Sequence, residues 1–297
     1  MAVDGCQNGG VVGDLGIETA VEPLGEGRYR ATLDPAWEIW GPMGGYIASV
    51  ALRAIGAASP TTIPASFSCL YLGVAAFDTV DIEVTTVKAG RTVAFHQALI
   101  TQGGRPMLTA SVCSIGESAT TGPQVLAHVD GDPPEVADPE SLKTPAELMA
   151  DRDDPGPPFP FWNNFDQRVI EFRDEWPPGE PLSPTWRSWC RFVPTSRFDD
   201  PWIDACRAVV MVDVQSWPAA HRPHAYKQLP VYAPSLDLYV AFHQPPGTWD
   251  DWLLADGHSA VADGGLMGWT GRLWGRDRRL LASGGGQLLC RAAPAQA

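Results

Sequence analysis

The spacing of apolar positions along the chain alternates between the period of a strand and the period of a helix. RYRATLD at 28–34 alternates like a strand. WGPMGGYIASVALRAIGAA at 40–58 then carries Ile47, Val50, Ala51 and Ile55 on one helical stripe, with Pro42 suited to a first turn and Gly44–Gly45 allowing close backbone approach. Four strand-type runs follow: ASFSCLYLGV, TVDIEVTTVKAG, TVAFHQALITQ and MLTASVCSIG. GGR at 103–105 and AGR at 89–91 read as hairpin turns between them. A stretch rich in Pro, Asp and Gly interrupts this rhythm, with one short helix predicted in SLKTPAELMA. The second half repeats the order. RVIEFRDEW and TWRSWCRFVP read as strands. A helix is predicted over 200–217, with Asp200 as N-cap and Pro201 in the first turn. SLDLYVAFHQP, DDWLLADGHSAVADGG, LMGWTGRLW and RLLASGGGQLLCR then supply four more strands.

The two halves also match in their residues. GGRPMLTAS ends at Ser111 and GRDRRLLAS ends at Ser283, 172 residues later; SFSCLYL opens at Ser66 and DLYVAFH at Asp237, 171 residues later. A period this long marks a duplicated domain rather than a solenoid. The predicted fold class is α+β: two units, each a long helix wrapped by a curved antiparallel sheet, with the two sheets joined edge to edge. The units span residues 1–118 and 166–297, and a Pro/Asp-rich connector spans 119–165, part of which is expected to pack on the surface.

Composition narrows the chemistry. The 297 residues carry a net charge of −14, which argues against nonspecific nucleic-acid binding and requires a local basic patch for any polyanionic ligand. Arg272, Arg276, Arg278 and Arg279, and secondarily Arg187 and Arg191, could form one, or could lie in solvated turns. No segment approaches the ~20 apolar residues of a membrane span. MAVDGCQNGG lacks the basic and apolar regions of a signal peptide, and the six cysteines are scattered without metal-ligand spacing. A cytoplasmic protein with free thiols and no metal is expected.

Asp237 lies between Leu236 and Leu238. A carboxylate buried there would need donors, or would have a raised pKa, and could orient water as a general base; otherwise it caps a strand end after Pro234. Gln287 could donate to the same water if a bulge in Gly284–Gly286 re-aims it, or be an exposed strand residue. Gly44 and Gly45 could offer N–H groups to an oxyanion, or serve tight packing. The second helix has no such pair, so one functional site per chain is expected. Asp213, among Val209, Val210, Val212 and Val214, reads as a buried helix-to-sheet hydrogen bonder or a secondary site residue. His243 shares the Asp237 strand but lies too far along it for contact. His258 and Ser259, being adjacent, point to opposite faces. Trp37, Trp40, Trp202 and Trp217 flank the helices, as core or as the lining of a ligand tunnel. GxSxG is absent.

The layout resembles the hotdog fold. Gly44–Gly45, SFSCLYL, the Gln102–Gly103 turn and TAS, with SLDLYVAFH, DDWLL and RLLAS followed by Gln287, make the chain similar to the double-hotdog acyl-CoA thioesterase II family. The resemblance implies hydrolysis of an acyl-CoA or acyl-carrier thioester by a water held on an Asp, a Thr or Ser, and a Gln, without metal or redox cofactor. The Asp falls on Asp237. The hydroxyl falls at Ser259, a strict count reaching Ala260. The Gln falls on Gln287 given one bulged glycine, and on Gly286 without it. Further pairing to a homodimer is expected. A non-hydrolytic acyl-binding module or a dehydratase-like tailoring enzyme is the alternative, although hotdog dehydratases generally use a helix His that this chain lacks.

Overall fold

The computed structural model describes residues 12–116, 128–150, 159–173 and 175–293. The N-terminal decapeptide with Cys6, and residues 119–127 and 151–158 of the expected connector, lie outside the described residues.

After a one-turn helix α1 (Leu15–Glu18), the first unit runs β1 (Glu22–Gly25), β2 (Arg28–Thr32), α2 (Gly44–Ala58), β3 (Ile63–Tyr71), β4 (Thr79–Lys88), β5 (Val93–Gln102) and β6 (Arg105–Ile115). A short helix α3 (Pro145–Met149) falls within the predicted segment and opens on a Thr144/Glu147 capping box. The second unit runs β7 (Phe165–Val169), β8 (Thr185–Phe192), α4 (Pro201–Val214), α5 (Ser216–His221), β9 (Val231–Tyr232), β10 (Asp237–Phe242), β11 (Leu253–Asp263), β12 (Leu266–Gly275), β13 (Leu280–Leu289) and β14 (Arg291–Ala292). Twelve strands form one sheet in the order β1-β2-β4-β5-β6-β3-β10-β13-β12-β11-β8-β7, while β9 and β14 pair separately. The order reads the same from either end when equivalent strands are exchanged, and the two units meet where β3 pairs with β10. This is the tandem hotdog arrangement.

Several boundaries differ from the periodicity. Helix α2 starts at Gly44, two residues past Pro42, because a 3₁₀ turn over Pro35–Trp37 and a bridge between Glu38 and Pro42 hold the preceding segment. The helix expected over 200–217 breaks at Gln215, and α5 continues with Pro218 in its first turn. Its start is as read: Asp200 accepts the Trp202 N–H at 2.8 Å. Gly103 and Gly104 take φ of 57° and 77° in the β5–β6 turn, a conformation that suits glycine. Part of the connector packs on the outer face of the second unit. Val136 and Leu142 join Trp189, Trp252, Leu254 and Trp274, and Arg276 reaches back to Asp138 and Glu140. No described helix is long and apolar enough to cross a membrane.

Both halves of the twelve-stranded sheet bury their concave faces on α2 and α4, which pack on each other. The helices cross at Ser49 and Cys206, where the Ser49 hydroxyl lies 3.4 Å from the Cys206 carbonyl and the Cys206 thiol 3.7 Å from the Ser49 carbonyl. Four residues N-terminal to the crossing lie Gly45 on α2 and Trp202 on α4; seven residues C-terminal lie Gly56 and Asp213. At one end Gly45 therefore meets Asp213, and at the other Gly56 meets Trp202. A Cβ on Gly45 would stand 2.7 Å from Val210 Cα and 2.9 Å from the Val209 carbonyl oxygen, both backbone atoms that cannot yield. Gly45→Ala is expected to lower unfolding free energy by at least about 2 kcal/mol, measured by urea denaturation.

Candidate active site

One end of the helix pair holds a buried carboxylate, Asp213. Asp213 sits one residue before the C-terminus of α4, in a helix buried on nearly all sides. Its Oδ2 accepts the Gly45 N–H at 2.8 Å, from the first turn of α2, and its Oδ1 accepts the Ser235 hydroxyl at 3.0 Å, from the loop entering β10. Burial pushes the Asp213 carboxyl up to about 6, against the opposing pull of the Ser235 hydroxyl and the Gly45 N–H. The N-terminal end of α2 adds a positive partial charge on the same side. A carboxylate held this way divides between its charged and neutral forms near neutral pH, as a general base requires.

Gly44 and Gly45 thus come to the site, with a different role for Gly45. Its N–H is taken by Asp213, so it positions the carboxylate rather than waiting for an oxyanion. The reason lies in α4: only a glycine lets the α2 backbone approach close enough for a peptide N–H to reach an α4 side chain.

The burial expected for Asp237 is not found: the residue is half-buried. It opens β10 and its Oδ1 accepts the backbone N–H of Gln287 at 3.0 Å, where the β10–β13 register shifts by one residue between Tyr239–Gly285 and Ser235–Leu288. Strand alternation sets it with Tyr239, 49% exposed, and opposite Leu70, 53% exposed, on the outer face of the sheet, while Leu238 turns inward. Its apolar sequence neighbours do not bury it. Gln287 also faces outward. β13 pairs with β12 without a break from Ala282 to Leu289, so no bulge occurs in Gly284–Gly286, and the Gln287 side chain stays exposed on the outer face. Asp237 and Gln287 are adjacent, but away from the interior. Asp237→Asn is expected to keep the parent's unfolding midpoint, since an asparagine oxygen still accepts the same N–H; urea denaturation measures it.

Ser259 lies in a bulge: His258 pairs with Thr270 and Val261 with Gly268, so Ser259 and Ala260 together stand opposite Trp269. The bulge turns Ser259 inward, 5% exposed, and leaves Ala260 exposed. The Ser259 hydroxyl donates to the Gly268 carbonyl at 2.8 Å, and β11 lies three strands from β10, roughly 14 Å, so it does not join Asp237. Trp37 and Trp202 are core, whereas Trp40 is 49% exposed beside Tyr232. Most of the candidate basic patch is spent in ion pairs: Arg276 with Asp138 and Glu140, Arg279 with Asp277, Arg187 with Asp256 and Arg191 with Asp166. His243 bonds Ser283 at 2.8 Å on the outer face.

Two family models divide the chain between them: the acyl-CoA thioesterase N-terminal domain over residues 33–115 and the acyl-CoA thioesterase C-terminal domain over 139–287. The chain belongs to the acyl-CoA thioesterase family, and it is a thioester hydrolase by that membership. Among solved structures it is similar to an acyl-CoA thioesterase II, TesB2, from Mycobacterium marinum, with 18% identity, a TM-score of 0.73 and coverage of 95% of this chain and 99% of that one. A tesB protein of Mycobacterium avium subs paratuberculosis gives 23% identity and a TM-score of 0.72 over 95% and 100% of the two chains. A hot dog fold protein of unknown function from Alicyclobacillus acidocaldarius gives 19% and 0.75 over 96% and 100%. No curated protein matches the chain.

Proposed function

We propose that the chain hydrolyses acyl-CoA thioesters with Asp213 as the general base. The supporting observation is the buried carboxylate itself, fixed by Gly45 and Ser235 and shifted to about 6 by burial. Asp213 takes a proton from water as the water oxygen bonds to the thioester carbonyl carbon. The tetrahedral adduct then collapses, the C–S bond breaks, and the electron pair leaves on sulfur. A thiol of pKa near 8.5 holds a proton more tightly than this carboxyl, so the proton passes from Asp213 to the departing thiolate. The products are a free carboxylic acid and CoA, and the base is regenerated.

Gly45 and Ser235 act through Asp213 and are positioning residues. They fix the direction of its lone pairs and keep part of it charged despite burial. Ser259 braces the β11–β12 hairpin in this reading, and Asp237 and Gln287 brace the β10–β13 junction. A panel of acyl-CoA thioesters with a thiol-detecting reagent tests the assignment. Thiol release with turnover is expected. Stoichiometric acyl-CoA binding without thiol release would overturn it in favour of a non-hydrolytic acyl-binding module.

A further inference from the structure

Of the four tryptophans that flank the helices, Trp40 is the one left exposed, at 49%. One exposed ring alone would need no explanation, but Trp40 is part of a set. The Tyr232 ring meets it edge to face, with centroids 5.4 Å apart and planes at 81°. Tyr232 lies on β9, in the small sheet that stands apart from the twelve-stranded one, and its cross-strand partner on β14 is Arg291. Side chains directly opposite on paired strands have Cβ atoms about 5 Å apart, so the Arg291 side chain starts beside the Tyr232 ring. Arg291 is exposed and has no partner among the described residues.

The set is fixed by backbone. The Ala293 N–H donates to the Pro230 carbonyl at 2.7 Å and the Leu289 N–H to the Pro234 carbonyl at 3.0 Å, one on each side of the β9–β14 pair. In the loop before α2, Glu38 and Pro42 bridge around Trp40. Two aromatic rings and a guanidinium are therefore held in place before a ligand arrives, which lowers the entropy cost of binding. Charge points the same way. The chain has a net charge of −14, yet both strands of the small sheet come from stretches without an acid, 214–236 and 278–297. The same stretches carry Arg222, Lys227, Arg278, Arg279 and Arg291. An anion is repelled less here than over the rest of the surface.

We propose that Trp40, Tyr232 and Arg291 dock the adenosine bisphosphate end of an acyl-CoA. The adenine stacks on the open side of the Trp40–Tyr232 pair, because every nucleobase presents a π-face to an aromatic ring. Arg291 pairs its planar fork with phosphate oxygens. The inference rests on acyl-CoA as the substrate, not on which residue acts as base. The nucleotide needs no interior space, since the set lies at the surface. Trp40 precedes Gly44 by four residues and Tyr232 precedes Ser235 by three, so the set borders the end of the helix pair where those residues lie. An acyl group on a carrier protein brings the same thioester without adenosine. The site therefore selects free acyl-CoA over carrier-bound acyl groups.

Adenosine bisphosphate alone, titrated into the whole protein in a calorimeter, is the direct probe, and saturable binding is expected. Trp40→Ala and Arg291→Ala should each weaken it about tenfold, and Trp40→Phe, which keeps an aromatic face, should stay within about threefold of the parent. In turnover, kcat/KM for an acyl-CoA should fall about ten times further in Trp40→Ala than kcat/KM for the matching acyl-pantetheine thioester, which has no nucleotide to lose. No saturable binding by the parent, or parent-like binding by either alanine variant, would overturn the proposal. So would an equal fall on the two substrates, which would mark Trp40 as structural. Binding is read without turnover, so it stands apart from the base: parent-rate hydrolysis by Asp213→Asn would remove that assignment and leave the docking site untouched.

Discussion

Asp213→Asn should abolish most of the hydrolytic activity and at the same time make the protein more stable. A positioned general base contributes on the order of 10²–10⁴ in rate, so kcat is expected to fall about a thousandfold in a steady-state thiol-release assay. In the parent, kcat/KM should rise with pH through about 6 and then level, as the Asp213 carboxyl loses its proton. The stability effect follows from the same shift. The carboxyl titrates near 3.8 when unfolded and near 6 when folded, so between those values the folded chain binds more protons than the unfolded one. Stability therefore falls as pH rises through that window, and above it the penalty is complete, about 3 kcal/mol for this shift. Asparagine removes the penalty and keeps both bonds: its oxygen accepts the Gly45 N–H, and its amide donates to a rotated Ser235 hydroxyl. The variant should melt at a higher temperature than the parent at pH 8, and the gap should close toward pH 4. A variant less stable than the parent at pH 8 would contradict the assigned burial cost.

Asp204→Ala should produce the largest loss of stability. The Asp204 and Arg207 side chains are both fully buried on α4 and form an ion pair. Arg207 Nε donates to Asp204 Oδ1 at 2.6 Å, and its Nη1 donates to the carbonyls of Ser196 and Asp250 at 2.9 and 2.8 Å. Asp204 Oδ2 accepts the Gly247 N–H at 2.5 Å. Burial works against both charges, raising the Asp204 pKa and lowering that of Arg207. Without Asp204 the guanidinium keeps its place without a counter-charge, which costs about 3–5 kcal/mol. Replacing both residues, as in Asp204→Ala with Arg207→Met, should recover much of that loss, because no buried charge remains. Urea denaturation of the single and double variants measures the difference.

The duplicated architecture was legible because its signals are local. Alternation marked the strands, Asp200–Pro201 marked the start of α4, and the glycines at 103–104 marked a hairpin turn. The site was less legible because burial is not a property of sequence neighbours. Asp237 looked enclosed by Leu236 and Leu238, yet a strand's period of two places it with exposed Tyr239. Asp213 lay in plain view among valines, but its donors come from a glycine 168 residues earlier and a serine 22 residues later. The available signal was the pairing of a carboxylate in the apolar run Val209–Val214 of one helix with a glycine pair on the other helix. The expected bulge in Gly284–Gly286 failed because glycine permits an irregular backbone without requiring one, and the β12 ladder holds these residues in register.

Where Gly45 faces Asp213, the related position across the crossing places Gly56 against the Trp202 indole, with a Cβ on that glycine 2.6 Å from the ring. The two ends of the helix pair have therefore diverged: a carboxylate meets a peptide N–H at one, and an aromatic ring lies flush on a backbone at the other.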